Sequence, residues 1–185
     1  MPRLPRKIWN TKWIQNEIEA GEPPSADAVT QDLWTDGNCL SLWRVPDGSN
    51  VDDAVVAQVT MFEHLESIDV VCVDEQALRD RGVIIEDVPG ETKIPELAAL
   101  HVHAADLDVN TLSEVAKTIG ECKRTENCMR YVKGQLARLL AAAVHEGRLD
   151  IADLKEDVRP RVERALQVIA GACPCLAGQR SQLLY

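Results

Sequence analysis

The sequence predicts an α+β protein, a mainly antiparallel sheet from the N-terminal part with C-terminal helices packed on one face or one end of it. Three observations carry this. Short apolar, β-branched runs between Gly, Asn, Asp and Pro turn signals fill residues 26–105. From Asn110 the hydrophobic period becomes helical. All four tryptophans (Trp9, Trp13, Trp34 and Trp43) precede these helices, so the later part must build its core from Leu, Val, Ile and Ala, which suits helices packing closely.

The chain has 185 residues, 45% of them hydrophobic and 27% charged, which fits one folded domain with a real core. Four stretches are expected: a basic, Trp-bearing segment and linker over 1–25, mainly strands over 26–105, mainly helices over 110–170, and a flexible tail over 171–185. Lys and Arg number 20 against 30 Asp and Glu, a net charge of -10 that opposes general binding to nucleic acid or anionic membranes. No segment approaches the roughly 20 apolar residues of a membrane span. The basic N-terminus lacks an apolar centre and so is not a secretory signal, and the expected location is cytoplasmic.

Along the chain, a short helix is expected from about Thr11 to Ala20, stopped by Gly21 and a Glu22-Pro23-Pro24-Ser25 linker. Ala28 to Trp34 reads as a strand, joined through the Thr35-Asp36-Gly37-Asn38 turn to a second strand over Cys39 to Val45. Ala54 to Phe62 has strand-like spacing of Val and Thr, and Ile68 to Val73 is the unbroken apolar run of a strand covered on both faces. Asp74 is placed to cap a short helix over Glu75 to Arg81, after which Val83 to Ile85 extends again. Leu97 to Ala105 reads as a further strand. A helix is expected from Asn110 or Thr111 to Gly120, another over Glu126 to Glu146, and a third pattern begins at Asp150 with a break or kink at Pro160 before Arg161 to Ala170 continues.

His101 and His103 are the most specific polar feature. Strand alternation places both imidazoles on one face, where two nitrogens can share a metal. Asp106, Asp108, His64 and His145 are the nearest third ligands, and none stands at a selecting spacing; the competing reading is a half-exposed strand with two polar residues outward. Cys173-Pro174-Cys175 can bind a soft metal or exchange thiols, and Cys122 and Cys128 could complete four thiolates, but that spacing matches no zinc pattern. Cys39 and Cys72 lie in apolar runs as small hydrophobes. The expected state of all six cysteines is reduced.

Nucleophilic catalysis finds no foothold, since there is no G-x-S-x-G elbow and Ser41 lies mid-strand. Phosphate-cradling Gly-rich loops are absent too. Glu63, Glu66, Asp69 and Asp74 read as a solvated acidic edge. Arg3, Arg6 and Lys7 beside Trp9 and Trp13 have the composition of an interface hot spot, or else simply cover the sheet. The functional expectation is a non-enzymatic, cytoplasmic protein that works through a protein partner or self-association. A metal-binding protein or metal-dependent enzyme using His101 and His103 is the alternative. No catalytic residue, cofactor or resident metal is assigned.

Overall fold

Strand Arg3–Ile8 (β1) begins the fold, a strand where the sequence suggests only a basic segment. The computed structural model describes residues 2–8, 13, 24–123 and 127–171. The expected helix over residues 11–20, apart from Trp13, and also Trp9 and the tail cysteines Cys173 and Cys175 lie outside them. β1 runs antiparallel to Ile68–Asp74 (β3), with Leu4 opposite Val73 and Ile8 opposite Asp69. Leu4 and Ile8 are buried, and Pro5 is tolerated because β1 is an edge strand. Cys128–Tyr131 (β6) pairs antiparallel on the other side of β3, giving the order β1-β3-β6.

A second antiparallel sheet contains Leu40–Trp43 (β2), His101–Ala105 (β5) and Ile84–Asp87 (β4), in the order β2-β5-β4. The first residue of β1 joins the two sheets. Arg3 N donates to Val45 O at 3.1 Å and Val45 N donates to Arg3 O at 2.8 Å.

The class is α+β, with helices packed against two small antiparallel sheets. Several elements differ from the sequence expectation. Ala28 to Trp34 is not a strand; helix Ala26–Asp32 (α1) occupies that region, with Ser25 Oγ accepting from Ala28 N at 3.2 Å. The Gly37-Asn38 turn, both residues in left-handed backbone, therefore joins a helix to β2 and not two strands. Ala54 to Phe62 falls largely within helix Val51–Val59 (α2). Asn50 caps it at Asp52 N, and Asp52 and Asp53 place carboxylates against its N-terminal dipole, which overrides the strand preference of its valines. Of Leu97 to Ala105, only β5 is strand; Pro95–Leu100 forms 3-10 turns.

Helix Glu75–Asp80 (α3) forms as expected beneath the Asp74 cap, and β4 follows it. Helix Val109–Lys123 (α4) starts earlier than expected, where Asp108 Oδ1 accepts from Thr111 N, and passes through Gly120 without ending. The single helix expected over Glu126 to Glu146 is instead β6 followed by Lys133–His145 (α5). Leu154 and Val158 are buried beyond the 3-10 turn Ile151–Asp153 and outside any helix. Pro160 neither breaks nor kinks Arg159–Gly171 (α6): it is the second residue of that helix, where a missing N–H costs nothing.

Two apolar clusters meet at β3. Ile68, Val70 and Cys72 face a core built with α2, α5 and α6. Val71 and Val73 face the other, which contains Leu4, Ile8, α4 residues Val115, Ala116 and Ile119, and Leu40, Leu42, Val102 and Ala104 from the second sheet. Burial pushes the Cys72 thiol up to about 11. At the end of β2, Arg44 makes a two-pronged ion pair with buried Glu75 (2.7 and 3.0 Å) and also binds Asp87, while Arg79 adds a 2.7 Å contact to Glu75. Burial raises the Glu75 carboxyl, but the two guanidiniums outweigh it and hold the group below its usual range.

Because Leu4 is fully buried against β3, Leu4→Ala should lower stability by about 2–5 kcal/mol in a denaturant titration. Arg130→Ala, which removes a 3.3 Å pair between Asp69 and a mostly exposed arginine, should cost less than Leu4→Ala by the same measurement.

Candidate functional site

The β2–β5 register decides which side chains share a face. Ser41 lies opposite His103 and Trp43 opposite His101, so all four project from one face of the second sheet. The alternating residues Leu40, Leu42, Val102 and Ala104 enter the core on the other face. Glu86 of β4, opposite His103, belongs to the polar face. That face forms one wall of a cleft of about 490 Å³, closed on other sides by Gln58 of α2, by Met61 and Phe62 after it, and by the segment Val88 to Glu91.

His101 is buried and fully committed. Its Nδ1 lies 2.8 Å from Val88 O, and a carbonyl can only accept, so Nδ1 carries the proton. Nε2 is then the bare nitrogen and accepts from Ser41 Oγ at 2.5 Å. Trp43 packs edge-on to the ring at 5.1 Å between centroids and His103 at 5.0 Å. Gly90 closes the back: a Cβ there would stand 2.5 Å from His101 Cβ. Burial lowers the His101 pKa, outweighing the Val88 contact, and the nearby His103 and Arg6 lower it further, so the imidazole is neutral near pH 7. Arg6 reaches from β1 to fix the strand itself, donating to Ser41 O at 2.6 Å and Asp32 O at 2.8 Å.

His101 and His103, the pair of the alternative metal reading, share a face, and both nitrogens of His101 are engaged within the chain. Among the described residues no three His, Cys, Asp or Glu side chains come together as metal ligands. Asp108 is spent on its cap, Asp106 is exposed in left-handed backbone beyond β5, and His64 and His145 are exposed on other elements. Cys39, Cys72, Cys122 and Cys128 form no disulfide among the described residues.

Of the N-terminal residues expected at an interface, the described ones, Arg3, Arg6, Lys7 and Trp13, are used within the chain. Trp13 is buried in the second core, with Nε1 donating to Asp32 Oδ2 at 2.6 Å. Arg6 is held by the two carbonyls already described. Lys7 pairs with Glu66 at 2.9 Å and lies over the Phe62 ring. Arg3 Nη2 donates to Ser49 O at 3.1 Å.

A second concavity of about 290 Å³ runs between α5 and α6. Ala137 and Ala165 line it together with Val168, which is 68% exposed. Lys133, Arg138, Arg161 and Arg164 surround that apolar surface. α5 contains no acid and α6 only Glu163, in a protein of net charge -10. Sequence reasoning sees Lys133 and Arg138 as the solvated side of a helix; what it misses is the opposition of the two helices, which gathers cations 23 or more positions apart in the chain. Ser41 is set aside in the sequence as a mid-strand serine for the same reason, since its partner His101 is 60 residues away.

Comparison with protein-family models, with curated proteins and with solved structures finds no match, so the functional reading rests on this geometry alone.

The depressed His101 pKa sets a direction for stability. Below about pH 6.5 the unfolded chain binds a proton at this position that the folded chain resists, so stability falls as pH drops through that window towards the folded value. Denaturation curves between pH 7.5 and 5 should show a steeper loss for the wild type than for His101→Gln. Gly90→Ala should cost about 1–3 kcal/mol by forcing the His101 ring aside.

Proposed function

We propose that this protein is a binding module, acting through protein contacts, whose α5–α6 groove docks an acidic amphipathic segment of a partner protein. The carrying observation is the concentration of Lys133, Arg138, Arg161 and Arg164 around an apolar floor in an otherwise acidic molecule. None of the four makes an ion pair among the described residues, whereas Arg44, Arg81 and Arg148 each bind two or more carboxylates. Cations without an internal carboxylate around exposed apolar surface, Arg164 donating only to Pro160 O at 3.1 Å, suit a ligand that carries carboxylates beside an apolar stripe. A helix laying its apolar face along the groove presents that combination. A polyanion such as nucleic acid matches the cations but makes no use of the floor, and beyond the groove it meets a net negative surface.

No helix among the described residues is long and apolar enough to cross a membrane. The groove is built by α5 and α6 and not by the basic N-terminal segment, whose Arg3, Arg6, Lys7 and Trp13 are occupied internally.

The test is fluorescence anisotropy with a labelled 15-residue helical peptide bearing leucines on one face and glutamates on the other. Binding should weaken as NaCl rises from 50 to 300 mM, and Arg138→Glu with Arg164→Glu should weaken it by at least about tenfold while leaving the unfolding midpoint unchanged. Unchanged affinity in the double variant would remove the groove from the interaction. Tighter binding of a single-stranded DNA of equal charge would show that the cations alone are read. Peptide-resistant dimerisation that the double variant abolishes would assign the groove to a second copy instead.

A further inference from the structure

We infer that Ser41 and His101 form a nucleophile–base pair that takes an acyl group from a small, uncharged or cationic activated ester and passes it to water. This goes beyond the docking function, and it uses different elements: the second sheet and its cleft.

The inference rests on a chain of three groups. The Val88 carbonyl holds Nδ1–H of His101 at 2.8 Å, which fixes the tautomer and leaves Nε2 as the acceptor; Nε2 faces the Ser41 hydroxyl at 2.5 Å. Nucleophile, base and orienting acceptor thus stand in the order that activates serine hydroxyls, with a backbone carbonyl in the orienting place. The base is not free to swing away. Trp43 and His103 pack edge-on to it, and the missing Gly90 side chain lets the Val88–Glu91 segment press directly on its Cβ. Ser41, by contrast, is exposed, and its hydroxyl opens to the cleft.

In the first half-reaction Ser41 Oγ bonds to the ester carbonyl carbon, its proton passes to His101 Nε2, and the C=O π pair moves onto oxygen. Collapse restores the C=O, breaks the bond to the leaving oxygen and returns the proton from Nε2 to the departing alcohol. Water then attacks the acyl carbon, gives its proton to Nε2, and Ser41 Oγ leaves and is reprotonated. Ester and water become acid and alcohol with no oxidant or reductant. His103, directly opposite Ser41 in the register, has no hydrogen-bond partner among the described residues and presents a ring N–H on the same face for the developing oxyanion. Trp43, Met61 and Phe62 offer apolar wall to the acyl or alcohol group, while Glu91 in the cleft and Glu86 on the same sheet face repel an anionic one.

The experiment treats the full chain with a neutral alkyl fluorophosphonate and follows each serine by peptide mass spectrometry. The exposed Ser49 and Ser113 are internal references. Ser41 should be phosphonylated at least about tenfold faster than either, and His101→Gln should bring it down to their rate. Should that variant fold poorly, the wild type supplies a second reading. Its Ser41 rate should be level above neutral pH and fall on acidification as Nε2 takes a proton. The titratable and charged groups around that nitrogen are His103 on β5, Glu86 on β4, Arg6 on β1 and Glu91 beyond β4. A Ser41 rate equal to those of Ser49 and Ser113, or one that a folded His101→Gln leaves unchanged, would overturn the inference.

Discussion

Strand β3 is buried on both faces, and this constraint organises the molecule. Ile68, Val70 and Cys72 point into one core and Val71 and Val73 into the other, so a slip of one residue would exchange every side chain between them. Its neighbours are held to that register: β1 along six residue pairs and β6 along four. Once β3 is placed, α2, α5 and α6 cover one side, while α4 and the second sheet cover the other. The second sheet gives one face wholly to a core. From its other face Trp43 packs into the first core, and Ser41, His101, His103 and Glu86 share what remains of that face, which walls the cleft.

The legible parts of the sequence were those whose local chemistry and tertiary use agree. The unbroken run Ile68 to Val73 is a doubly covered strand, Asp74 caps the helix that follows, and Gly37-Asn38 turns the chain. Local signals conflicted in α1 and α2. Val and Thr at strand-like spacing suggested a strand over Ala54 to Phe62 and Ala28 to Trp34 was also read as one, yet Ser25 and Asn50 were caps in the sequence and Asp52 and Asp53 supplied first-turn acids. The capping pattern, which acts on backbone groups that have no other partner, outweighed the valines. β6 was hidden differently. Its four residues lie beside a long amphipathic pattern, and only the free edge of β3 makes a strand of them.

The two candidate sites were illegible for a common reason. Each consists of residues that mean little singly and acquire meaning from juxtaposition. A serine in mid-strand and a histidine 60 positions later become a hydrogen-bonded pair through the β2–β5 register. Four cations spread over two helices become one electropositive ring only when α5 and α6 pack. The His101–His103 pair was legible in half: strand alternation placed both on one face, but the partners of His101, the carbonyl of Val88 and the hydroxyl of Ser41, lie far off in the sequence. Net charge was equally uninformative, because a total of -10 conceals an α5–α6 surface of opposite sign.

The burial of Cys72 has a kinetic meaning. With its thiol near 11, only about one molecule in ten thousand carries the thiolate at pH 7, and that sulfur sits in the middle of the strand that divides the two cores. Cys39 and Cys128 are partly open to solvent and can meet an alkylating reagent without any large excursion of the fold. Cys72 can meet it only when β3 parts from its neighbours. The slowest-reacting sulfur of these three therefore keeps time for the opening of the whole molecule, a clock the chain carries without any added label.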